Sequence, residues 1–464
     1  MKNDLLFNEF TFVTSKQWKQ KIQFDLAGAD YNNTLIWKTN EDISVKPFYH
    51  ADDVDGLSNT STNKTTPWHI CETIYVADVE KSNIKAIKLL ENGADSIKFI
   101  IPNPSVSLED LLKNIEASTT IHLELQFLSD NFVIPANAGI HIHTDIIGNL
   151  AKSGNWFTNL NTDFALFETI VKTTNTLSVD ASLYQNAGAN MVQQLAYALA
   201  HANEYLNRLD TVMVNDAAAS NDNVIASTAK QSVSCIFNLS IGSNHFFEIA
   251  KLRALRVLWK TLASEYNIHT DCHIYTTPTK RNKILYDYNT NMLRTTTECM
   301  SAILGGSDTI CNLPYDTIYH KINAFGTRMA RNQLLILKHE SYFDKVNNPA
   351  DGAYYIETIT HQLAEKALDL FKNIEANGGF LKQLKEGIIQ RKIKDSADKE
   401  QQQFNSGYII LTGTNKHMNA TDKMKDTLEL YPFVKTNQRK TLIEPIIEKR
   451  LAEGLEQERL KKED

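Results

Sequence analysis

The sequence predicts an α/β protein whose main part is a (β/α)8 barrel, with an N-terminal extended and helical arm and C-terminal trailing helices. Three observations predict this class. From Pro67 onward, short β-rich runs alternate with runs of helical period, eight β-rich runs are present, and glycine and proline number only 18 and 10 in 464 residues. Such alternation indicates βα units and a parallel sheet. Eight strands with crossovers favour a closed barrel over an open sheet.

The arm comes first in the chain. Residues 16–26 have a helical period, and a mixed segment follows that ends at Pro47. The arm has more apolar side chains than a free arm normally carries, so they either fold back on this chain or dock on another one. Those that we assign to a partner interface are Trp18, Leu26, Tyr31 and Trp37. A polar stretch at 56–66 predicts a linker, and we assign residues 1–66 to arm and linker.

Eight predicted strands come next, and most are continuous in apolar or β-branched residues, as strands buried on both faces are. They lie at 71–77, 96–101, 121–127, 140–144, 177–183, 233–241, 272–276 and 309–313. Helices fit between most of them, although the link from Phe127 to Ile140 has a loop and no evident helix. The barrel is assigned to residues 67–385.

Further helices are predicted at 325–340 and 358–376, and the second stops at Gly378-Gly379. Residues 386–464 form a C-terminal helical extension whose charged end, 448–464, is typical of a solvated helix. Glu248, Lys251 and Arg253 share one predicted helix. They indicate a solvated ladder of charges, with a polar cluster at the barrel mouth as the alternative.

Composition excludes several classes of function. Lys and Arg number 48 against 55 Asp and Glu, giving a net charge of −7, so no positive field attracts nucleic acid or an anionic membrane. No stretch approaches the ~20 apolar residues that span a bilayer, and no targeting segment is present. The five cysteines are an odd number without the spacing of a zinc or redox pair. We expect a cytoplasmic protein with reduced thiols.

One motif points to a metal. His141 and His143 lie two apart, so on a strand both rings point to one face, and Asp145 follows in line. This pattern predicts the metal site of a barrel hydrolase, although alternation on a half-exposed strand produces the same spacing.

The first five predicted strands of the barrel contain no arginine. The first arginine is Arg208, so the first five predicted strands lack the guanidinium groups that bind diphosphates and carboxylates in pairs of hydrogen bonds.

Several collinear segments resemble the methylmalonyl-CoA mutase family and, more closely, its small or beta subunit. They are 25–53, 67–70, 145–156, 183–206, 241–259, 291–308 and 330–360. The resemblance implies a TIM barrel preceded by an arm that wraps a partner subunit. It also implies that the family's catalytic chain converts methylmalonyl-CoA to succinyl-CoA by radical chemistry, with CoA in its barrel. A C-terminal domain marked by Asp-x-His-x-x-Gly carries adenosylcobalamin there. No such run occurs here, so the resemblance implies no cobalamin-binding domain and no cofactor bound by this chain.

The resemblance also allows the catalytic positions to be compared. Catalytic chains have a segment of the type Pro-Trp-Thr-Ile-Arg-Gln-Tyr, whereas Cys71, Glu72 and Thr73 stand at its last three positions here. In the run of the type Tyr-His-Met-Gln-Glu-Ala-Gly-Ala, Leu183 stands where the histidine would be. Leucine can neither donate a hydrogen bond to a thioester nor move a proton. No counterpart of the arginine that holds the substrate carboxylate is present either.

These substitutions imply a non-catalytic, stabilising small subunit of a heterodimeric mutase, whose large subunit is catalytic and carries adenosylcobalamin. Three alternatives remain open. The chain could be an active mutase barrel that uses cobalamin from a separate domain. It could be a metal-dependent hydrolase built around His141 and His143, or a degenerate barrel that retains vestigial acyl-CoA binding.

Overall fold

The computed structural model describes residues 9–57, 67–129, 132, 139–220, 233–346, 348–435 and 439–463. Ten strands occur in this part of the chain. Two belong to the arm and pair antiparallel, and eight form the barrel. They are β1 Trp37–Lys38, β2 Ser44–Val45, β3 His69–Tyr75, β4 Ser96–Ile101, β5 Thr120–Leu125, β6 Ile140–His143, β7 Thr176–Asp180, β8 Ser234–Ile241, β9 His273–Pro278 and β10 Thr309–Ile310.

The eight barrel strands are parallel, and their order is β6-β5-β4-β3-β10-β9-β8-β7. Neighbours in this order share backbone hydrogen bonds. The two end strands, β6 and β7, lie side by side without a ladder between their described residues. The result is a nearly closed (β/α)8 barrel with one seam, which confirms the predicted fold class.

Helices connect most of the strands and extend the chain at both ends. Their bounds are α1 Ser15–Asp25, α2 Tyr31–Leu35, α3 Val79–Glu91, α4 Leu108–Leu111, α5 Ile146–Ser153, α6 Leu160–Thr174, α7 Ser182–Asn186, α8 Met191–Ser220, α9 His245–Glu265, α10 Thr290–Leu304, α11 Ala324–Leu335, α12 Tyr354–Ala376, α13 Phe380–Lys385, α14 Ile388–Asn405 and α15 Glu453–Lys461. A π-helical turn, Ile336–Glu340, continues α11, and single 3-10 turns lie at Ala51–Asp53 and Lys425–Thr427.

Local chemistry explains where several elements begin. Side chains of Asp78, Asp145 and Asn159 accept backbone N–H groups at the starts of α3, α5 and α6, so donors that lack a helical partner are satisfied. The fifth predicted strand ends earlier than expected. The Asp180 carboxylate accepts hydrogen bonds from the backbone and hydroxyl of Ser182 at 3.2 and 2.5 Å. This local turn ends the strand, so Leu183 lies in α7 and not in a strand.

The apolar core is largest on the side of the barrel formed by β7 and β8. There α8 and α12 pack against each other and against α9. A second cluster lies around β4 and β5 and includes Phe99 and Leu123, which are fully buried. The strands that line these clusters are buried on both faces, as their nearly continuous apolar sequence predicts.

The two ends of the chain differ in how they pack. Helix α1 has no buried residue, whereas Tyr31 at the start of α2 is only 7% exposed.

The predicted linker at 56–66 lies for the most part outside the described residues. So does much of the link between β5 and β6, and the rest of that link contains no helix. In the described ranges no helix has both the length and the apolar character needed to cross a membrane.

Candidate functional site

A cluster of imidazoles fills the axis of the barrel. Nδ1 of His122 and Nε2 of His143 are 2.9 Å apart, and both side chains are buried. His141 stacks on His122 with ring centroids 4.9 Å apart, and His273 lies 4.6 Å from His141. The rings come from β5, β6 and β9, which point them inward at alternate positions. We call His122, His141, His143 and His273 the histidine plug.

The histidine plug is neutral at neutral pH. Burial and the neighbouring imidazoles lower the pKa of His122, and burial and Lys98 do the same for His143. Burial and His273 lower the pKa of His141 to about 3. His122 and His143 are buried and His141 and His273 are half-buried, and an interior of this kind favours the neutral form of each ring. The sequence motif does not include His122 and His273, although the alternation in 121–127 could have placed His122 inside the barrel.

The predicted metal ligands do not assemble. Asp145 begins α5 and binds Nε2 of His201 at 2.9 Å and the hydroxyl of Tyr205 at 2.6 Å, outside the plug. His143 uses Nε2 for His122. Among the residues that the structure describes, no three His, Cys, Asp or Glu side chains are placed to hold a metal ion. The spacing of His141, His143 and Asp145 therefore reflects strand alternation followed by a helix cap.

The positions that the resemblance compares with catalytic residues are Cys71, Glu72, Thr73 and Leu183. Cys71 and Thr73 point into the barrel, where the Thr73 hydroxyl lies 3.2 Å from Sγ of Cys311. Glu72 points outward and binds Nη1 of Arg331 at 2.9 Å; burial raises its pKa to about 7. Leu183 is buried in the main core. Leu183 carries no ionisable group, and the Glu72 carboxylate is held in an ion pair on the outer face of its strand.

Next to the plug lies a half-buried ion pair, in which the Glu124 side chain is 35% exposed. Nζ of Lys98 is 2.7 Å from Oε2 of Glu124 and 4.8 Å from the centre of the Tyr275 ring. The Lys98 ammonium lowers the pKa of Glu124. Asp180 lies nearby, and burial raises its pKa. The Lys98–Glu124 pair and the Tyr275 ring therefore also fill the barrel interior next to the imidazoles.

A second polar cluster lies beside the axis, on α9. Glu248 and Lys251 are both fully buried, and their charged atoms are 2.5 Å apart. Lys251 also donates to Gln185, Gln194 and the carbonyl of Ser240 at 2.8–3.0 Å. The prediction of a solvated ladder is therefore wrong for Glu248 and Lys251. Their spacing of three residues is the same on a surface helix, and what encloses them here is the packing of α7, α8 and β8 around α9.

Two cavities lie off the axis. One of about 380 Å³ is at the carboxyl ends of the strands, between the arm at Trp37–Glu41, the Gln185 loop and Glu248. The other, of about 610 Å³, is at the amino ends and is lined by Trp68, Leu90, Glu91, Glu116 and Lys338 among others. Neither cavity is lined by the histidine plug.

The C-terminal segment 442–451, which we call the strap, crosses the loops at the carboxyl ends of the strands. Its backbone N–H groups donate to carbonyls that follow β6, β7 and β9, at 2.8–3.1 Å: Leu442 and Ile443 to Gly154, Ile446 to Ala151, Lys449 to Asn186, and Leu451 to Arg281. Arg450 and Glu456 are buried as an ion pair of 2.7 Å. The tail is thus docked on the barrel, and the prediction of a solvated helix is wrong at its start.

Gly154 is the point at which the strap begins to dock, and Gly154→Ala should release it. Gly154 has a φ of +78°, and an added Cβ would lie 2.7 Å from the Ile443 carbonyl. We expect faster tryptic cleavage at Arg439 and Lys440. Gly407→Ala is the matched control, because Gly407 has the same φ of +78° but open space around its Cβ. Backbone strain is thereby equal in the two variants, and equal cleavage would contradict docking at Gly154.

The predicted interface residues of the arm fall into two groups. Trp18 is 49% exposed and Leu26 is half-buried, and Phe24 between them is 80% exposed. Tyr31 is buried beneath Lys19 of α1. The Trp37 ring is 42% exposed and packs edge-on against Phe247 of the barrel with centroids 5.8 Å apart. The arm therefore folds back on its own barrel from Trp37 onward. The part before Tyr31 keeps an apolar surface uncovered.

Comparison with known proteins places these features in a family. Residues 114–461 match the model of the methylmalonyl-CoA mutase family. The methylmalonyl-CoA mutase small subunit of Porphyromonas gingivalis (strain ATCC BAA-308 / W83) is 34% identical over 466 aligned residues, which cover 92% of this chain and 74% of that protein. The methylmalonyl-CoA mutase small subunit of Streptomyces virginiae is 28% identical, and the alignment covers 83% of this chain and 67% of that subunit.

Large subunits are similar as well, at lower identity. The methylmalonyl-CoA mutase large subunit of Porphyromonas gingivalis is 24% identical over 461 residues, and the alignment covers 85% of this chain but 62% of that subunit. Within one organism, the small subunit is thus more similar to this chain than the large one. In every case the chain spans only part of the relative's length.

Proposed function

Because the chain belongs to the methylmalonyl-CoA mutase family, we propose that it is the non-catalytic small subunit of a heterodimeric mutase. In this proposal the large subunit isomerises methylmalonyl-CoA to succinyl-CoA. The present chain binds the large subunit and stabilises it. The higher identity to a small subunit than to a large one in the same organism supports the assignment.

The side chains at positions 183 and 73 carry the proposal, and the packed barrel interior agrees with them. Substrate would have to reach the carboxyl-end mouth, where the active sites of such barrels lie. The histidine plug, Tyr275 and the Lys98–Glu124 pair occupy the interior. Leu183 and Thr73 stand where a catalytic chain has histidine and tyrosine, and neither replaces their chemistry. These features oppose an active mutase barrel that takes cobalamin from elsewhere.

The proposal assigns adenosylcobalamin to the large subunit. When bound there, the cofactor would supply the radical that starts the rearrangement. The described residues of this chain do not fit the group, because the strap crosses the loops at the carboxyl ends of the strands. His122 and His143 are enclosed in the barrel interior, so neither imidazole is accessible to a cofactor as large as cobalamin.

The test uses three preparations: this chain alone, the large subunit from the same genome alone, and the two purified together by gel filtration. We expect mutase turnover and cobalamin absorbance only where the large subunit is present, with both chains eluting together. Turnover or stoichiometric cobalamin in this chain alone would overturn the proposal. Elution of the two chains in separate peaks would contradict the proposed pairing.

The exposed part of the arm supports a role in pairing. Residues 9–26 present Phe24 and Trp18 to solvent, whereas the arm from Trp37 onward packs on its own barrel. Large exposed apolar surfaces of this kind mark protein interfaces. In this proposal the α1 segment lies against the large subunit and the segment from Trp37 anchors it.

Deleting residues 1–29 should abolish co-elution with the large subunit and leave the circular dichroism melting curve of the barrel unchanged. The barrel is spared because α1 buries none of its own residues. A milder test replaces Trp18 and Phe24 together with serine. The control is Ile84→Ser, since Ile84 is an equally exposed apolar residue on α3. Co-elution of the deletion variant, or loss of pairing in the control, would contradict the role of the arm.

Acyl-CoA binding without turnover remains as an alternative, and the cavity of about 610 Å³ has room for part of a CoA ester. Glu91 and Glu116 line that cavity and repel a polyphosphate, and Lys338 is already bound to Asp95 at 2.6 Å. We expect calorimetric titration with succinyl-CoA to give no heat of binding. Saturable binding would restore this alternative.

A further inference from the structure

Four of the five cysteines meet in two pairs across neighbouring strands, although they are far apart in the sequence. Thr309 pairs with His69 and Ile310 with Ile70, so the next residue, Cys311, lies opposite Cys71. In the same way Ile236 pairs with His273, so Cys235 and Cys272 lie opposite each other one residue earlier. All four are free thiols and buried. The sequence spacing gave no sign of either pair.

The Cys71–Cys311 pair lies inside the barrel and has the spacing that a disulfide needs. Neighbouring strands are about 4.8 Å apart, and disulfides form at Cα separations of about 4.4–6.8 Å. Cys71 and Cys311 form one buried cluster with Ile236 and Tyr275. Both side chains point to the axis, so their sulfur atoms face the same space.

The surroundings of this pair favour thiol chemistry. The Thr73 hydroxyl lies 3.2 Å from Sγ of Cys311, and the Tyr275 hydroxyl donates to Sγ of Cys71 at 3.6 Å. Hydrogen bonds from Cys71, Thr73 and Tyr275 lower the pKa of Cys311, while burial raises that of Cys71. The thiolate is the nucleophile in oxidation. Burial raises the pKa of Cys272 to about 12 and also raises that of Cys235, so the second pair is far less reactive.

We propose that Cys71 and Cys311 form a reversible disulfide that closes the barrel covalently between its first strand, β3, and its last strand, β10. The oxidant is hydrogen peroxide, which is small enough to reach buried sulfur. The Cys311 thiolate attacks peroxide, the O–O bond breaks, and a sulfenic acid and hydroxide form. The Cys71 thiol then attacks that sulfur, the S–O bond breaks, and water leaves. In total two thiols and one peroxide give one disulfide and two waters.

The position of the bond gives it a mechanical role. Strand β10 is only two residues long and pairs with β3 and with β9 at two positions each, so its two ladders are the shortest among the described barrel strands. A covalent bond one residue further along β10 would hold the same two strands together. Positions 71 and 311 are 240 residues apart, so the disulfide would close a long loop. A closed loop lowers the conformational entropy of the unfolded chain and thereby stabilises the folded one.

The test treats the reduced full-length chain with excess peroxide, blocks the remaining thiols and maps tryptic peptides by tandem mass spectrometry. Fragment ions are needed because Cys299 shares a tryptic peptide with Cys311. We expect the Cys71–Cys311 cross-link, with Cys235 and Cys272 still alkylated as thiols. The melting temperature should rise by about 5 °C or more, and dithiothreitol should reverse the rise.

Two variants make the outcome specific. Cys71→Ser should lose both the cross-link and the shift in melting temperature. Thr73→Val keeps both cysteines but removes the hydroxyl beside Cys311, so cross-linking should slow severalfold while the reduced chain melts as before. Three results would overturn the proposal: oxidation of Cys311 to sulfinic acid without a cross-link, a Cys235–Cys272 bond instead, or no modification at all.

Discussion

Replacing Lys251 with methionine should lower the free energy of unfolding by about 3–5 kcal/mol, the usual cost of leaving a buried charge without its partner. Methionine fills nearly the same volume, so loss of packing contributes little. What remains is the carboxylate of Glu248, fully buried and without a cation. The side chains of Gln185 and Gln194 also lose the donor that binds both of them. Urea unfolding followed by circular dichroism measures the loss.

Two further variants separate the buried charge from a general effect of substitution. Lys260→Met changes an exposed lysine on the same helix and should alter stability by less than about 0.5 kcal/mol. Adding Glu248→Gln to Lys251→Met removes the unpaired charge, so the double variant should be more stable than the sum of the single losses predicts. Simple additivity, or a loss no larger than that of Lys260→Met, would show that the pair does not act as a unit.

The second large effect is loss of stability in mild acid. The plug histidines have pKa values below the ordinary value of 6.5 in the folded chain, and that of His141 is about 3. The unfolded chain therefore binds protons first as the pH falls. Their contribution to stability is complete above pH 6.5 and is lost progressively below it. At pH 5 the loss is about 2 kcal/mol for each histidine that stays neutral in the fold.

Several histidines act together here, so the combined loss approaches the whole stability of a typical domain, about 5–15 kcal/mol. Stability measured in urea between pH 7.5 and pH 4.5 should fall steeply. His141→Gln should flatten the fall, because glutamine keeps polarity without taking up a proton. His417→Gln, at an exposed turn, is the control. A profile that His141→Gln leaves unchanged would contradict the role of the histidine plug.

The barrel could be predicted because each strand carries its own signal. Continuous apolar runs such as 96–101 and 233–241 have the composition of doubly buried strands, and the structure places strands there. The ends of strands were harder to predict, since Asp180 ends β7 through a side-chain turn that composition does not reveal. Local pattern thus determines the elements, and side-chain chemistry determines where they end.

The interior could not be predicted in the same way, because closing the barrel brings distant strands together. His141 and His143 were noticed as a pair, but their actual neighbours, His122 and His273, come from two other strands. Glu248 and Lys251 have the spacing of a surface ion pair and are buried only by other helices. Strand register, which no single segment contains, also decides which cysteines meet.

The seam between β6 and β7 determines how the barrel can fluctuate. Across it, side chains replace the backbone ladder: the Asp145 carboxylate accepts the N–H of Asp180 at 2.7 Å, and the Ser178 hydroxyl donates to the Thr144 carbonyl at 3.1 Å. A ring of strands opens with least loss where no ladder must break. We therefore expect transient opening of the barrel to begin with separation of β6 from β7, while the other strands stay paired and act as the hinge.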